Sequence, residues 1–156
     1  MPIIIIHTEI NAPMDRCFDL SRSIDLHQIS TEHTKEEAVD GITSGLINLH
    51  ESVTWRATHF GVSQTLSTKI TKFESPSIFV DEMVNGAFKS FRHEHRFEQT
   101  DTGTRMIDQF EYVSPFGIIG RFVDLILLKK YMTQLLNKRN ETIREFAESD
   151  QWKQVL

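Results

Sequence analysis

The stretch FKSFRHEHRFEQTDTGTRMIDQFEY, residues 88–112, decides the fold. Phe91, His93, His95 and Phe97 alternate with Arg92, Glu94 and Arg96, the period-two pattern of a strand with one apolar and one charged face. TDTG supplies turn residues, after which Met106, Asp108, Phe110 and Tyr112 share the next apolar face. The two imidazoles therefore sit on the apolar side, where a polar group needs a partner or a function.

The same period runs upstream. Residues 3–10, IIIIHTEI, are rich in β-branched side chains and read as an opening strand. NAPMD then starts a helix: Asn11 is placed to cap it, Pro13 fits its first turn and Asp15 complements its dipole. Met14, Cys17, Phe18 and Leu20 form its apolar side, and a second short helix is expected over 23–29. KEEAVDG (35–41) is a weak strand. A strong one follows, with Val53, Trp55, Ala57 and His59 on one face. Gly61 turns the chain into residues 62–74, where Leu66, Thr68 and Ile70 alternate with Ser67, Lys69 and Thr71. SPS (75–77) interrupts before IFVDEMV (78–84), and NGA precedes the histidine strand. Some seven strands result, five of them in succession at hairpin spacing, so the sheet is antiparallel.

SPFG (114–117) ends the sheet, and a helical pattern runs from roughly 118 to 148. Its second half is amphipathic: Tyr131, Met132, Leu135, Leu136, Ile143 and Phe146 line one side, with Lys138, Arg139, Arg144 and Glu145 mostly elsewhere. In its first half Phe122, Val123, Leu125, Ile126, Leu127 and Leu128 cover more than one stripe. That segment is either enclosed or partly exposed beside a pocket mouth or a partner.

A length of 156 residues suits one domain, over 1–150, with a short tail over 151–156. The net charge of −5, with scattered Lys and Arg, excludes the basic stripe of a nucleic-acid surface. The single cysteine, Cys17, allows no intramolecular disulfide or cysteine-based zinc cluster, and reads as a buried, inert thiol. The opening residues lack a positive n-region and a cleavage site, so they read as strand rather than signal peptide. The longest apolar run, FGIIGRFVDLILL, contains Arg121 and Asp124 and is shorter than the ~20 residues of a membrane span. A cytoplasmic location is the resulting expectation; the sequence does not indicate the oligomeric state.

The order of strand, two short helices, six strands and one long helix is similar to that of the SRPBCC superfamily. That superfamily has the helix-grip fold of START domains, polyketide cyclases and the birch-pollen allergen family. The phrases NAPMDRCFDL, VTWRATHFG, FVDEMVNGAFKSFRHEH and YVSPFGIIG resemble an uncharacterised bacterial ligand-binding branch of it. The resemblance covers essentially the whole chain. It implies an α+β domain in which a curved seven-stranded antiparallel sheet wraps a long C-terminal helix. It also implies an internal cavity for a lipid, isoprenoid, polyketide or other apolar molecule. No catalytic motif spans the superfamily, so the resemblance assigns no catalytic residue.

Strand parity places Trp55, His59, Phe79, Asp81, Phe91, His93, His95, Phe97, Met106, Asp108, Phe110 and Tyr112 on the cavity face. Phe122, Ile126 and Met132 are the expected contribution of the helix. Three roles are open to the His and Asp set. It forms an internal network that fixes register, it orients an apolar guest, or it acts on one. In the last case His93 and Asp108 are the candidate acid–base pair of a cyclase or dehydratase. His93 and His95 at i, i+2 could also hold an ion with His59 or Asp108. No fourth ligand is apparent, so no metal and no cofactor are expected. THFG and SPFG read as turns, lacking the spacing of a phosphate loop. Binding of a small apolar molecule, for transport or sensing, is the favoured function. The apolar start of the last helix, with Lys129 and Lys130, is where a transient membrane contact or a partner would dock.

Overall fold

A computed structural model describes residues 1–115, 117–118, 122 and 124–156, with the side chains of Asp124 and Leu125 excepted. Seven strands form one antiparallel sheet: β1 (Ile3–Ile10), β2 (Glu37–Gly41), β3 (Ser52–His59), β4 (Val62–Glu74), β5 (Ile78–Asn85), β6 (Ser90–Gln99) and β7 (Thr104–Val113). Their spatial order is β1-β7-β6-β5-β4-β3-β2, a meander closed by the first strand. Helices α1 (Met14–Ser21) and α2 (Ile24–Ser30) follow β1, and α3 (Lys129–Glu148) follows a π-helical turn over Asp124–Leu128. Among the described residues no helix is long and apolar enough to cross a membrane.

Local chemistry accounts for the elements, with one correction at α1. Asn11 does not cap that helix: its backbone N–H donates to Glu148 Oε1 (2.9 Å), and Pro13 occupies the cap position without a side-chain bond. Ser23 does cap α2, its Oγ accepting from the Leu26 N–H at 3.1 Å. Bulges in β4 and β5 skip Thr71 and Val84 in the pairing, which bends the sheet and turns Phe73 toward the core. Between β3 and β4, His59 pairs with Val62, and Phe60 and Gly61 both have positive φ (52° and 75°). THFG is thus a tight hairpin turn.

The concave face is divided between two packed regions. In the first, Phe18 of α1 is fully buried and meets Phe73, Phe79 and Phe97 edge-on at 5.3–5.4 Å. The second gathers Ile4, Phe91, Phe110, Tyr112 and Leu136. Cys17 is completely buried, and that burial raises its thiol pKa, as an inert cysteine requires. Residues expected as a tail instead form a 3₁₀ turn over Asp150–Gln154, with Trp152 packed on the core and beneath the Arg16 guanidinium.

Gly41 ends β2 at φ +76°, and a Cβ there would lie 2.2 Å from the Ser52 backbone oxygen. Gly41→Ala is expected to lower stability by about 1–3 kcal/mol, from left-handed strain and the clash together. A urea-unfolding midpoint compared with wild type checks it.

Candidate functional site

Between the concave sheet and α3 lies a cavity of about 350 Å³. Parity put the right strands on it, but not every residue. Trp55, His59, Phe79, Asp81, Phe91, His93, His95, Phe110 and Met132 line it as expected of their faces. Phe97, Met106, Asp108 and Tyr112 share that face and are buried, but are absent from the described lining. Parity gives a face, not a depth: α1 covers the Phe97 and Met106 part of the sheet, while Phe110 and Phe88 pack against Tyr112. Phe122 and Ile126 are corrected outward, 70% and 55% exposed, and do not contribute to the described lining. Val123 and the Leu125 side chain lie outside the described residues.

The polar wall has two parts. The first is carried by the centre of the sheet, where β5, β6 and β7 place Asp81 opposite His93 and His95 opposite Asp108. His93 Nε2 lies 2.8 Å from Asp108 Oδ1, and His95 Nε2 lies 2.8 Å from Asp81 Oδ1. Both carboxyls have lowered pKa values. Burial pushes each up, and the opposing imidazole hydrogen bonds and the nearby charges, Arg139 among them, outweigh it. An ionised carboxylate only accepts, so each Nε2 carries the proton. The two imidazoles lie against each other, tilted by 35°, with 3.8 Å between centroids.

Asp108 is fully buried behind the histidines. Its Oδ2 accepts from Asn140 Nδ2 at 2.7 Å, and Arg139 Nη1 approaches Oδ1 at 3.5 Å. Arg139 also donates to the Ser21 carbonyl (3.0 Å), so one carboxylate ties β7 to α3 and α1. The helical pattern sets Arg139 mostly away from the apolar side. It is instead 7% exposed and lines the cavity, because its charge is matched by Asp108.

The second polar part, at the β3 side, joins the expected Trp55 and His59 to His27, Glu36, Phe60 and Tyr131, which the sequence pattern does not place on the cavity. His27 Nε2 lies 2.5 Å from Glu36 Oε1, and the His27 ring packs on Trp55 at 4.2 Å. Glu36 is held below the usual carboxylate range: burial raises its pKa, but the charge and hydrogen bond of His27 prevail. His59 Nδ1 is 2.6 Å from the Tyr131 hydroxyl, and exposed Phe60 lies against the same tyrosine at 4.6 Å. Burial lowers the His59 pKa and raises that of Tyr131. All six residues line the cavity. No local pattern joins a helix, a loop and a strand, so only the fold unites them.

His93 has its pKa lowered to about 4, first by burial and next by the charge of His95, against the pull of Asp108. Between pH 6.5 and about 4 the unfolded chain therefore binds a proton that the native state excludes. Stability is expected to fall as pH falls through that window, and further as Asp108 is forced to protonate. Urea midpoints from pH 7 to 4 measure the slope, and His93→Gln should reduce it.

The chain resembles known proteins over nearly its full length. TTHA0849 of Thermus thermophilus superposes with TM-score 0.72 at 18% identity, over 91% of this chain and 97% of that one. CV1439 of Chromobacterium violaceum gives 0.71 at 9% identity, over 94% and 97%. Major latex-like protein 151 of Panax ginseng gives 0.69 at 13%, over 95% and 98%. At these identities the likeness establishes the helix-grip fold and no more. No curated protein matches the chain in sequence. The family model described as polyketide cyclase/dehydrase and lipid transport matches residues 10–129, and the chain belongs to that SRPBCC-type family.

Proposed function

We propose that the protein binds a small, mostly apolar molecule, such as a lipid, isoprenoid or polyketide, between the sheet and α3, in order to carry or sense it. The observation that carries this reading is the cavity. Its volume of about 350 Å³ falls at the lower end of the ~300–1,000 Å³ typical of small-molecule sites. Trp55, Phe79, Phe91, Phe110, Leu128 and Met132 give it apolar walls. Burying ~200 Å² of apolar ligand surface there contributes about 5 kcal/mol before the costs of association. The two polar parts supply the few directional contacts that orient such a guest. The family description, which names both lipid transport and cyclisation, supports the same class of ligand.

Native mass spectrometry of freshly purified protein, followed by solvent extraction, tests this reading. A retained apolar molecule, or uptake of an added one at one per chain, is expected; absence of both overturns it.

One observation favours a second reading, as a cyclase or dehydratase. A neutral imidazole, His93, lines the cavity with Asp108 behind it, as an acid–base pair would. Its pKa of about 4 makes it a weak base at neutral pH, so binding is preferred. Turnover of a polyketide-like substrate that His93→Gln abolishes, with apolar binding intact, would establish the second reading.

A further inference from the structure

We propose that Asp81, His93 and His95 form a binding site for one divalent transition-metal ion, with its open coordination position on the cavity. This goes beyond the binding of an apolar molecule and does not depend on it. One ligand atom from each residue lies within 4.8 Å of the others, and all three residues line the cavity. The available atoms are Asp81 Oδ1, His95 Nε2 at 2.8 Å from it and His93 Nδ1 at 4.0 Å. Those separations bracket the ~3.3 Å between neighbouring ligands of a tetrahedral zinc ion with bonds of about 2.0–2.1 Å.

Three features of the surroundings point to a cation. First, His93 is 6% exposed, and its Nδ1, which carries the lone pair, has no hydrogen bond among the described residues. Second, Arg139 is the cation that meets Asp108, whereas Asp81 meets only the two imidazoles among the described residues. A partly buried carboxylate with no cation in direct contact is the kind of group that metal coordination completes.

Third, Asp108 stands behind both rings. It accepts from His93 Nε2, which fixes the tautomer that leaves Nδ1 free. His95 Nδ1 lies 3.1 Å from the same oxygen but without the alignment of a hydrogen bond, and is left unsatisfied. A metal taking Nε2 would move the ring proton to Nδ1, giving that atom a donor role beside Asp108. A carboxylate that orients the far nitrogen of each ligating histidine is the usual support of such sites. Imidazole and carboxylate donors suit zinc, iron(II) or nickel rather than calcium or magnesium.

Protein stripped with a chelator and titrated calorimetrically with zinc sulfate tests the site, with cobalt(II) absorption reporting geometry. One equivalent of zinc per chain is expected. Asp81→Asn and His95→Gln should each weaken it by more than the ~10–100-fold typical of altering a residue behind a ligand, and Asp108→Asn should fall within that range. The exposed His7→Gln should change nothing, which separates the site from surface histidines. Circular dichroism confirms that each variant is folded; if Asp108→Asn is not, Asp81→Asn and His95→Gln decide. No uptake by the wild type, or uptake that Asp81→Asn leaves unaltered, overturns the proposal. Apolar-probe binding on the metal-free samples keeps the two ideas apart. Probe binding without zinc uptake removes the metal site alone, and zinc uptake without probe binding removes the apolar-ligand reading alone.

Discussion

Asp108→Ala is expected to lower stability by about 3–5 kcal/mol, the usual cost of removing one partner of a buried charge pair. For a chain of this size that is roughly a 10 °C fall in Tm. The cause is the company Asp108 keeps. The carboxylate is fully buried and serves His93, Asn140 and Arg139 together. Without it the Arg139 guanidinium stays 7% exposed with no carboxylate in direct contact, and the link from β7 to α3 loosens. The double variant Asp108→Ala, Arg139→Leu should lose less than the sum of the single changes, because it also removes the stranded cation. Thermal melts followed by circular dichroism measure both. A loss below ~1 kcal/mol in Asp108→Ala would mean that the network contributes little to holding helix and sheet together.

The second large effect is on binding. Ala57 lines the cavity between Trp55 and His59 on β3. Ala57→Phe would project a ring into the space and displace a similar volume of ligand. Forfeiting the burial of a group that size costs about 1.5–3 kcal/mol, so apolar-probe affinity should drop by roughly 10- to 150-fold. The change fills a void rather than crowding a packed core, so the urea midpoint should stay close to wild type. A probe titration beside an unfolding curve separates the two outcomes.

The sheet was legible in the sequence because alternation is local: Phe91, His93, His95 and Phe97 announce their face from their own spacing, and all four are buried. The tight turn at Phe60 and Gly61 was legible for the same reason. Depth was not. Tyr112 and Phe110 have identical parity, yet only Phe110 is among the described lining, because what covers each strand position depends on where the helices cross. Pairings were partly legible: the Asp81 face was anticipated, but its partnership with His95 needs the β5–β6 register. Arg139 was misplaced because a charged residue on an amphipathic helix reads as solvated unless its partner, here on a strand 31 residues away in sequence, is known. His27 and Glu36 come from a helix and a loop with no shared period, so no pattern could have joined them.

Calorimetric titration with a homologous series of straight-chain alcohols tests the central claim most directly. If the cavity holds the alkyl chain, affinity rises about fourfold per added methylene, the equivalent of ~0.8 kcal/mol each. It should then level off or fall once the roughly 350 Å³ is filled, and Ala57→Phe should bring that limit to a shorter chain. An affinity indifferent to chain length, or one that climbs without a limit and ignores Ala57→Phe, would contradict binding in this cavity.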